Sequence, residues 1–190
     1  MEDIMNTNDL RAIKSKRDIE TAFINLITQK DFDKITIKDI CSEALIGRST
    51  FYRYYEDKYD LLNKLILKYS QILDDLLAQR MKHSINNDLL SELYTGLNKH
   101  KDAILSLLKL SFHESSLEIN FKKILIKHMT NYLHNFNFKI PELYIQQLYA
   151  ANVMTAIIWS LKYGADPQIA HMMNDIFQHL TKNYATKVVK

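Results

Sequence analysis

The chain has 190 residues, 47% of them hydrophobic and 25% charged, with a formal net charge of +3; this balance excludes a disordered polymer and leaves enough length to bury a core. Three Gly and two Pro leave few helix breakers, and a single cysteine, Cys41, excludes an internal disulfide framework. Residues 1–60 hold 10 Lys+Arg against 12 Asp+Glu and the rest hold 15 against 10, so bulk charge alone gives no case for nucleic acid.

The opening MEDIMNTNDL is acidic and polar and does not read as a secretory leader, so a reducing cytoplasm is the expected home. Apolar residues then recur at spacings of three and four nearly everywhere, with no convincing alternating strand, which predicts an all-α fold. Ile19, Ala22, Phe23, Leu26 and Ile27 make one helical face, closed by a polar QKDFDK turn. Ile37, Ile40, Cys41 and Ala44 make a second, and Thr36 with Asp39 three residues on has the spacing of a capping box with a shorter acid. Cys41 on that apolar face reads as core. Leu45-Ile46-Gly47 is a turn of helix-turn-helix length, and it leads into the aromatic, cationic run RSTFYRYY. Phe51 and Tyr55, four apart, are expected to face inward, which leaves Arg48, Ser49, Tyr52 and Arg53 outward. Arginines and tyrosine hydroxyls suit phosphates and base edges.

From Leu61 to Leu77 the pattern persists for nearly five turns, predicting a long bridging helix from about Lys58 to Lys82. The polar HSINND, 83–88, is the expected seam, followed by helices near 89–98, 101–112, 116–136, 142–163 and 167–184. Ser115 with Glu118 has capping-box spacing, Pro141 suits a first turn, and Asp166-Pro167 supplies an N-cap and a proline at the first helical position. The 142–163 segment is apolar nearly all round and needs cover on both sides; Ile169, Met172, Met173, Ile176, Phe177 and Leu180 give the last helix an apolar face too. Two such helices per chain could form a four-helix interface about a two-fold axis. No run reaches the roughly 18–20 apolar residues of a membrane span.

The pattern TIKDIC through RSTFYRYY and then DKYDLL resembles the N-terminal DNA-binding domain of the tetracycline-repressor (TetR) family of transcriptional regulators, over about residues 10–62. The resemblance implies a three-helix helix-turn-helix domain over 1–62 and a C-terminal helical ligand-binding and dimerisation domain over 63–190. It also implies a homodimer on a palindromic double-stranded DNA operator, released by a small-molecule effector, with no cofactor and no membrane partner. By matching position, Thr36, Thr50, Tyr52, Tyr54 and Lys58 fall where members touch the DNA backbone, and Lys38, Arg48 and Ser49 where they can read bases. Lys58 at a helix start would gain from the helix's own partial positive charge in holding a phosphate. Members usually carry Gly or Asn where Leu45 stands, so either Leu45 takes a strained positive φ or the turn shifts onto Gly47. Gly47 stands where Ser often caps the third helix, and Tyr54 replaces a common His.

For an effector pocket the candidates are Tyr94, Phe112, His113, Phe121, His128, Met129, Tyr132, Asn152, Trp159 and Tyr163, bulky or polar-tipped groups on otherwise apolar faces; each has core or boundary packing as its plainer reading. The aromatic rings fit a flat apolar or cationic ligand. The second half also loosely resembles the branch that includes the activator of dihydroxyacetone-kinase operons, where a partner protein replaces the small molecule. An enzyme is the competing class. His113-Glu114 begins like a zincin helix, but residue 117 is Leu, and there is neither a glycine-rich phosphate loop nor a nucleophile elbow. A third class, an interaction module without DNA binding, rests on the acidic balance of residues 1–60 and on Leu45.

Overall fold

A computed structural model describes residues 7–82, 88–110, 116–133 and 136–187. Its helices are α1 (Thr7–Gln29), α2 (Ile37–Glu43), α3 (Arg48–Tyr52), α4 (Lys58–Lys82), α5 (Asp88–Asn98), α6 (Lys101–Leu108), α7 (Leu117–Leu133), α8 (Glu142–Tyr163) and α9 (Pro167–Tyr184), with a 3-10 turn at Phe32–Lys34. The architecture is all-α, and none of the described helices is long and apolar enough to cross a membrane.

The helix starts follow local chemistry. Thr36 and Asp39 form the capping box: the Asp39 N–H donates to Thr36 Oγ1 at 3.2 Å and the Thr36 N–H donates to Asp39 Oδ2 at 2.8 Å. Asp166 accepts from the Gln168 N–H at 2.8 Å, ahead of the first-turn Pro167. For α7 the cap is Ser116, whose hydroxyl accepts from the Ile119 N–H at 3.2 Å; the expected cap, Ser115, lies outside the described residues, as do most of the seam residues, 83–87.

α4 is the spine. Leu61, Leu62, Leu65, Ile66, Tyr69, Leu73 and Leu77 are all buried along it, so one core runs without a break from Ile19 and Phe23 of α1 through α4 to Val153, Ile157 and Leu161 of α8. The expected boundary at 62/63 therefore falls inside a continuous helix. Gly96 brings α5 close to α4, since a Cβ there would stand 2.7 Å from Leu76 Cδ2. A smaller cluster of Met129, Leu133 and Ile145 closes the far end of the α7–α8 pair.

One expectation fails at the end of α7. The helix stops at Leu133, and Phe136–Phe138 (β1) pairs antiparallel with Ala185–Lys187 (β2), Asn137 opposite Thr186. A further bond from the Lys139 N–H to the Tyr184 carbonyl, 2.9 Å, extends the ladder. Phe136 and Phe138 lean on the same side, ring centroids 6.0 Å apart, as a period of two requires. α6 is also shorter than expected, ending at Leu108 with Lys109 as its cap.

Candidate nucleic-acid interface

The second and third helices meet at a turn whose backbone is unusual. Leu45 takes φ 54, the one non-glycine positive φ among the described residues, and its side chain is 92% exposed. The Ile46 N–H reaches the Cys41 carbonyl at 3.0 Å and the Leu45 N–H the Ser42 carbonyl at 3.3 Å. This 6→1 and 5→2 pair is a Schellman motif, which needs a left-handed residue after the C-cap. Gly47 instead has φ -78 and ψ 153 as the N-cap of α3 and contributes no side-chain bond. The strain therefore sits on Leu45, at a cost of about 1–2 kcal/mol.

α3 is seated from below. Phe51 and Tyr55 are fully buried, and Tyr52 packs edge-on to Phe51 with centroids 5.6 Å apart. The Tyr55 hydroxyl donates to Glu20 Oε1 of α1 at 3.0 Å, and burial, followed by the Glu20 charge, pushes its pKa well above the usual phenol range. Glu20 Oε2 in turn takes Lys68 Nζ of α4 at 2.6 Å. Lys64 Nζ of α4 bonds the Tyr54 carbonyl at 3.0 Å and Asp60 at 2.8 Å. The end of α3 is thus tied to both α1 and α4 by charged hydrogen bonds, the stronger kind.

With Phe51 and Tyr55 inward, Arg48, Ser49 and Tyr52 are left exposed along one flank of α3, and Thr50 is half-buried. Lys38 is exposed on α2 beside Thr36. The Thr36 hydroxyl also donates to Asp39 Oδ2 at 2.7 Å. The Asp39 carboxyl is held far below the usual carboxylate range, first by the hydrogen bond from Lys30 and then by Thr36. Tyr54 is half-buried against the core and less available than Tyr52.

Lys58 has a different occupation from the one its position suggests. Its Nζ donates to the carbonyls of Phe32, Asp33 and Ile35, each at 3.0 Å, and lies 4.7 Å from the Phe32 ring centroid. An ammonium has three donors, and all three are taken. Lys58 closes the turn between α1 and α2; a phosphate at the start of α4 would meet the helix end rather than a free ammonium. No sequence signal marks a carbonyl cage of this kind, because it depends on the course of the chain between residues 32 and 35.

The effector candidates are spread over four surroundings. Tyr94 is buried with its hydroxyl 3.8 Å from Met173 Sδ, Phe121 lies in the main core, and Met129 lies in the second cluster. His128 Nε2 stands 2.5 Å from Asp74 Oδ1 across the α4–α7 contact, and Lys127 adds an ion pair to the same carboxylate at 3.0 Å. These two hold the Asp74 carboxyl below its ordinary range, His128 first. Asn152 is half-buried, whereas Trp159 and Tyr163 are 49% and 70% exposed and pack on each other, centroids 4.5 Å apart. Phe112 and His113 lie outside the described residues, as does the side chain of Tyr132. Cys41 is buried as expected, and burial raises its thiol pKa.

Residues 21–65 match the family model described as bacterial regulatory proteins, tetR family. A helix-turn-helix-type transcriptional regulator of Bacillus subtilis, YxbF, is 34% identical over 70 residues, 36% of this chain but only 18% of that relative's length. Among solved structures, a TetR transcriptional regulator from Streptococcus agalactiae is 23% identical with a TM-score of 0.64, covering 94% of this chain and 98% of its own. The dihydroxyacetone kinase operon activator DhaS is 17% identical with a TM-score of 0.56, covering 90% and 98%. A transcriptional regulator, FadR of Bacillus subtilis in complex with stearoyl-CoA, is 16% identical with a TM-score of 0.60, covering 86% and 96%. Residues 21–65 thus carry the DNA-binding signature of the tetR family, and over most of its length the chain shares the fold of solved TetR-type regulators.

Proposed function

We propose that the protein is a cytoplasmic repressor that binds a palindromic operator as a homodimer and is released by a small molecule held in its C-terminal half. The observation that carries this reading is the division of α3: Phe51 and Tyr55 seat it, and Arg48, Ser49 and Tyr52 are left together on the exposed side. A short helix of that kind enters a major groove, where Arg48 can bond a guanine edge with two N–H donors.

Pairing is supported by what α8 leaves uncovered. Tyr144, Leu148, Ala151 and Trp159 follow one another at helical spacing and are exposed, and Met172 and Ile176 do the same on α9. Contiguous apolar surface of this kind marks an interaction site. A second copy would cover both stripes and set two α3 helices about a two-fold axis.

The test is direct. Retardation of the chain's own upstream fragment, against a random duplex of equal length, should show a preferred sequence with two-fold symmetry. Arg48→Ala should weaken the preferred duplex by about 1–3 kcal/mol and relax one base position. A folded, paired chain with no preference in any duplex pool would defeat the reading and favour the interaction module. The dispersed effector candidates favour a second reading of the trigger alone, in which a partner protein docks on the C-terminal half; DhaS shares the fold and regulates as an activator. Screening small molecules for a raised melting temperature separates the two.

A further inference from the structure

The N-terminal turns of α1 carry a charge pattern that none of the assigned contacts uses. Residues 10–17, LRAIKSKR, contain Arg11, Lys14, Lys16 and Arg17 and no acid, inside a 60-residue stretch where acids outnumber bases. All four side chains are exposed. Among the described residues Arg11, Lys14 and Lys16 have no ion pair, and Arg17 has a loose one, 3.7 Å to Asp18, with its own side chain 72% exposed.

Helical phase puts three of these cations on one side. At about 100° per residue, Arg11, Lys14 and Arg17 fall on an arc of about 120°, and Asp18, Thr21 and Asn25 continue that arc along the helix. Lys16 points to the other side. The continuation is not free surface: Arg17, Asp18, Thr21 and Asn25 line one wall of a groove of about 390 Å³ whose opposite wall is Glu43, Ala44 and Leu45. Leu45 is the strained turn residue, three positions before Arg48. The side of α1 that faces the helix-turn-helix turn therefore runs on, past the edge of the reading surface, as a cationic face.

We infer that Arg11, Lys14 and Arg17 form a second DNA contact, which holds the sugar-phosphate strand flanking the groove that α3 enters. This rests on the DNA-binding reading and adds a site to it. Three cations spread over about 9 Å of helix axis match a strand that offers one phosphate per about 3.4 Å of duplex axis. Asp18 and Glu43 repel a phosphate from the groove itself, Glu43 being held by Asn25 Nδ2 at 3.3 Å. The strand then lies toward the N-terminal end of the arc, beyond Asp18. Contacts of this class position the protein and carry no base information. An acidic protein segment would meet the same charges, but the continuity with the α3 surface favours the duplex.

The experiment uses the full-length chain, a fragment of its own upstream DNA and a random duplex of equal length, titrated from about 50 to 300 mM salt. Replacing Arg11, Lys14 and Arg17 together by Gln should lower the slope of log K against log salt by about 0.9 per phosphate lost, roughly 2–3 per chain. Affinity should fall at least tenfold on both duplexes, and their ratio should stay within about twofold. Lys16→Gln, on the other side of the helix, should leave slope and affinity unchanged, and thermal unfolding should show every variant folded. An unchanged slope in the triple variant overturns the inference and leaves a solvated face. Equal losses from Lys16→Gln and Arg17→Gln overturn it too, because only net charge would then matter. A wild-type chain that binds neither duplex sinks the DNA-binding reading itself, which is a distinguishable failure.

Discussion

The reading head, α1 to α3, and the C-terminal half, α5 to α9, both bury apolar cores yet finish their surfaces differently. The head satisfies its turns with hydrogen bonds, from the Thr36–Asp39 box to the Lys58 carbonyl cage, and exposes Leu10, Ile13, Leu45 and Tyr52 among polar and charged groups. The C-terminal half leaves Tyr144, Trp159, Tyr163, Met172 and Ile176 outside. A surface of the first kind suits a charged, hydrated polymer; one of the second suits another apolar surface. Under the proposed function the two halves meet different partners, a duplex at the head and a second copy at the α8 and α9 stripes.

Three substitutions break or sharpen that contrast. Phe51→Ala removes the ring under α3 and should cost about 3–5 kcal/mol in denaturant unfolding. It should abolish duplex binding while the chain still sediments as a dimer; loss of both together would mean that the halves have no separate roles. Asp74→Asn strips the α4–α7 contact of its charge and should cost about 2 kcal/mol at neutral pH, the scale of a hydrogen bond to a charged group. The Asp74 pKa is lowered in the folded chain, so its contribution is present above the ordinary carboxylate range and lost as pH falls through the lowered value. The stability gap between wild type and variant should therefore close as unfolding is measured at pH 5, 4, 3 and 2, and a constant gap would refute the assignment. The smallest effect belongs to the turn: Leu45→Gly relieves φ 54 and should raise stability by about 1 kcal/mol, read as a shift in the denaturant midpoint. If Leu45→Gly also weakens duplex binding, the exposed leucine is itself part of the reading surface.

Much of the fold was legible because helices announce themselves locally. The Lys58–Lys82 helix, the Thr36 cap, the Asp166-Pro167 start and the inward pair Phe51 and Tyr55 all depend on spacings of one to seven residues. The β1–β2 pair was not legible, since two three-residue strands lie 49 residues apart and Phe-Asn-Phe is too short to establish a period of two. The same distance hid the Asp74 pairing with His128, 54 residues on. At the interface, phase alone placed Arg48, Ser49 and Tyr52 outside, but Lys58 could not be resolved, because a lysine at a helix start looks the same whether its ammonium meets a phosphate or three carbonyls. The dispersal of the effector candidates follows from the same limit: a bulky residue on an apolar face has no local mark of which neighbour it will meet.

Lys58, Lys64 and Lys68 have one more consequence. All three stand within the first eleven residues of the 25-residue α4, and each fastens it to a different part of the head. The head and the near end of the helix are therefore tied into one piece, while Asp74 fastens the far half to α7. At 1.5 Å per residue the helix is about 37 Å long, so a swing of about 5° at one end carries the other through about 3 Å. Under the proposed function the rod would serve as a lever, in which a displacement smaller than an atom's width near its fulcrum takes α3 out of step with the repeat of a double helix.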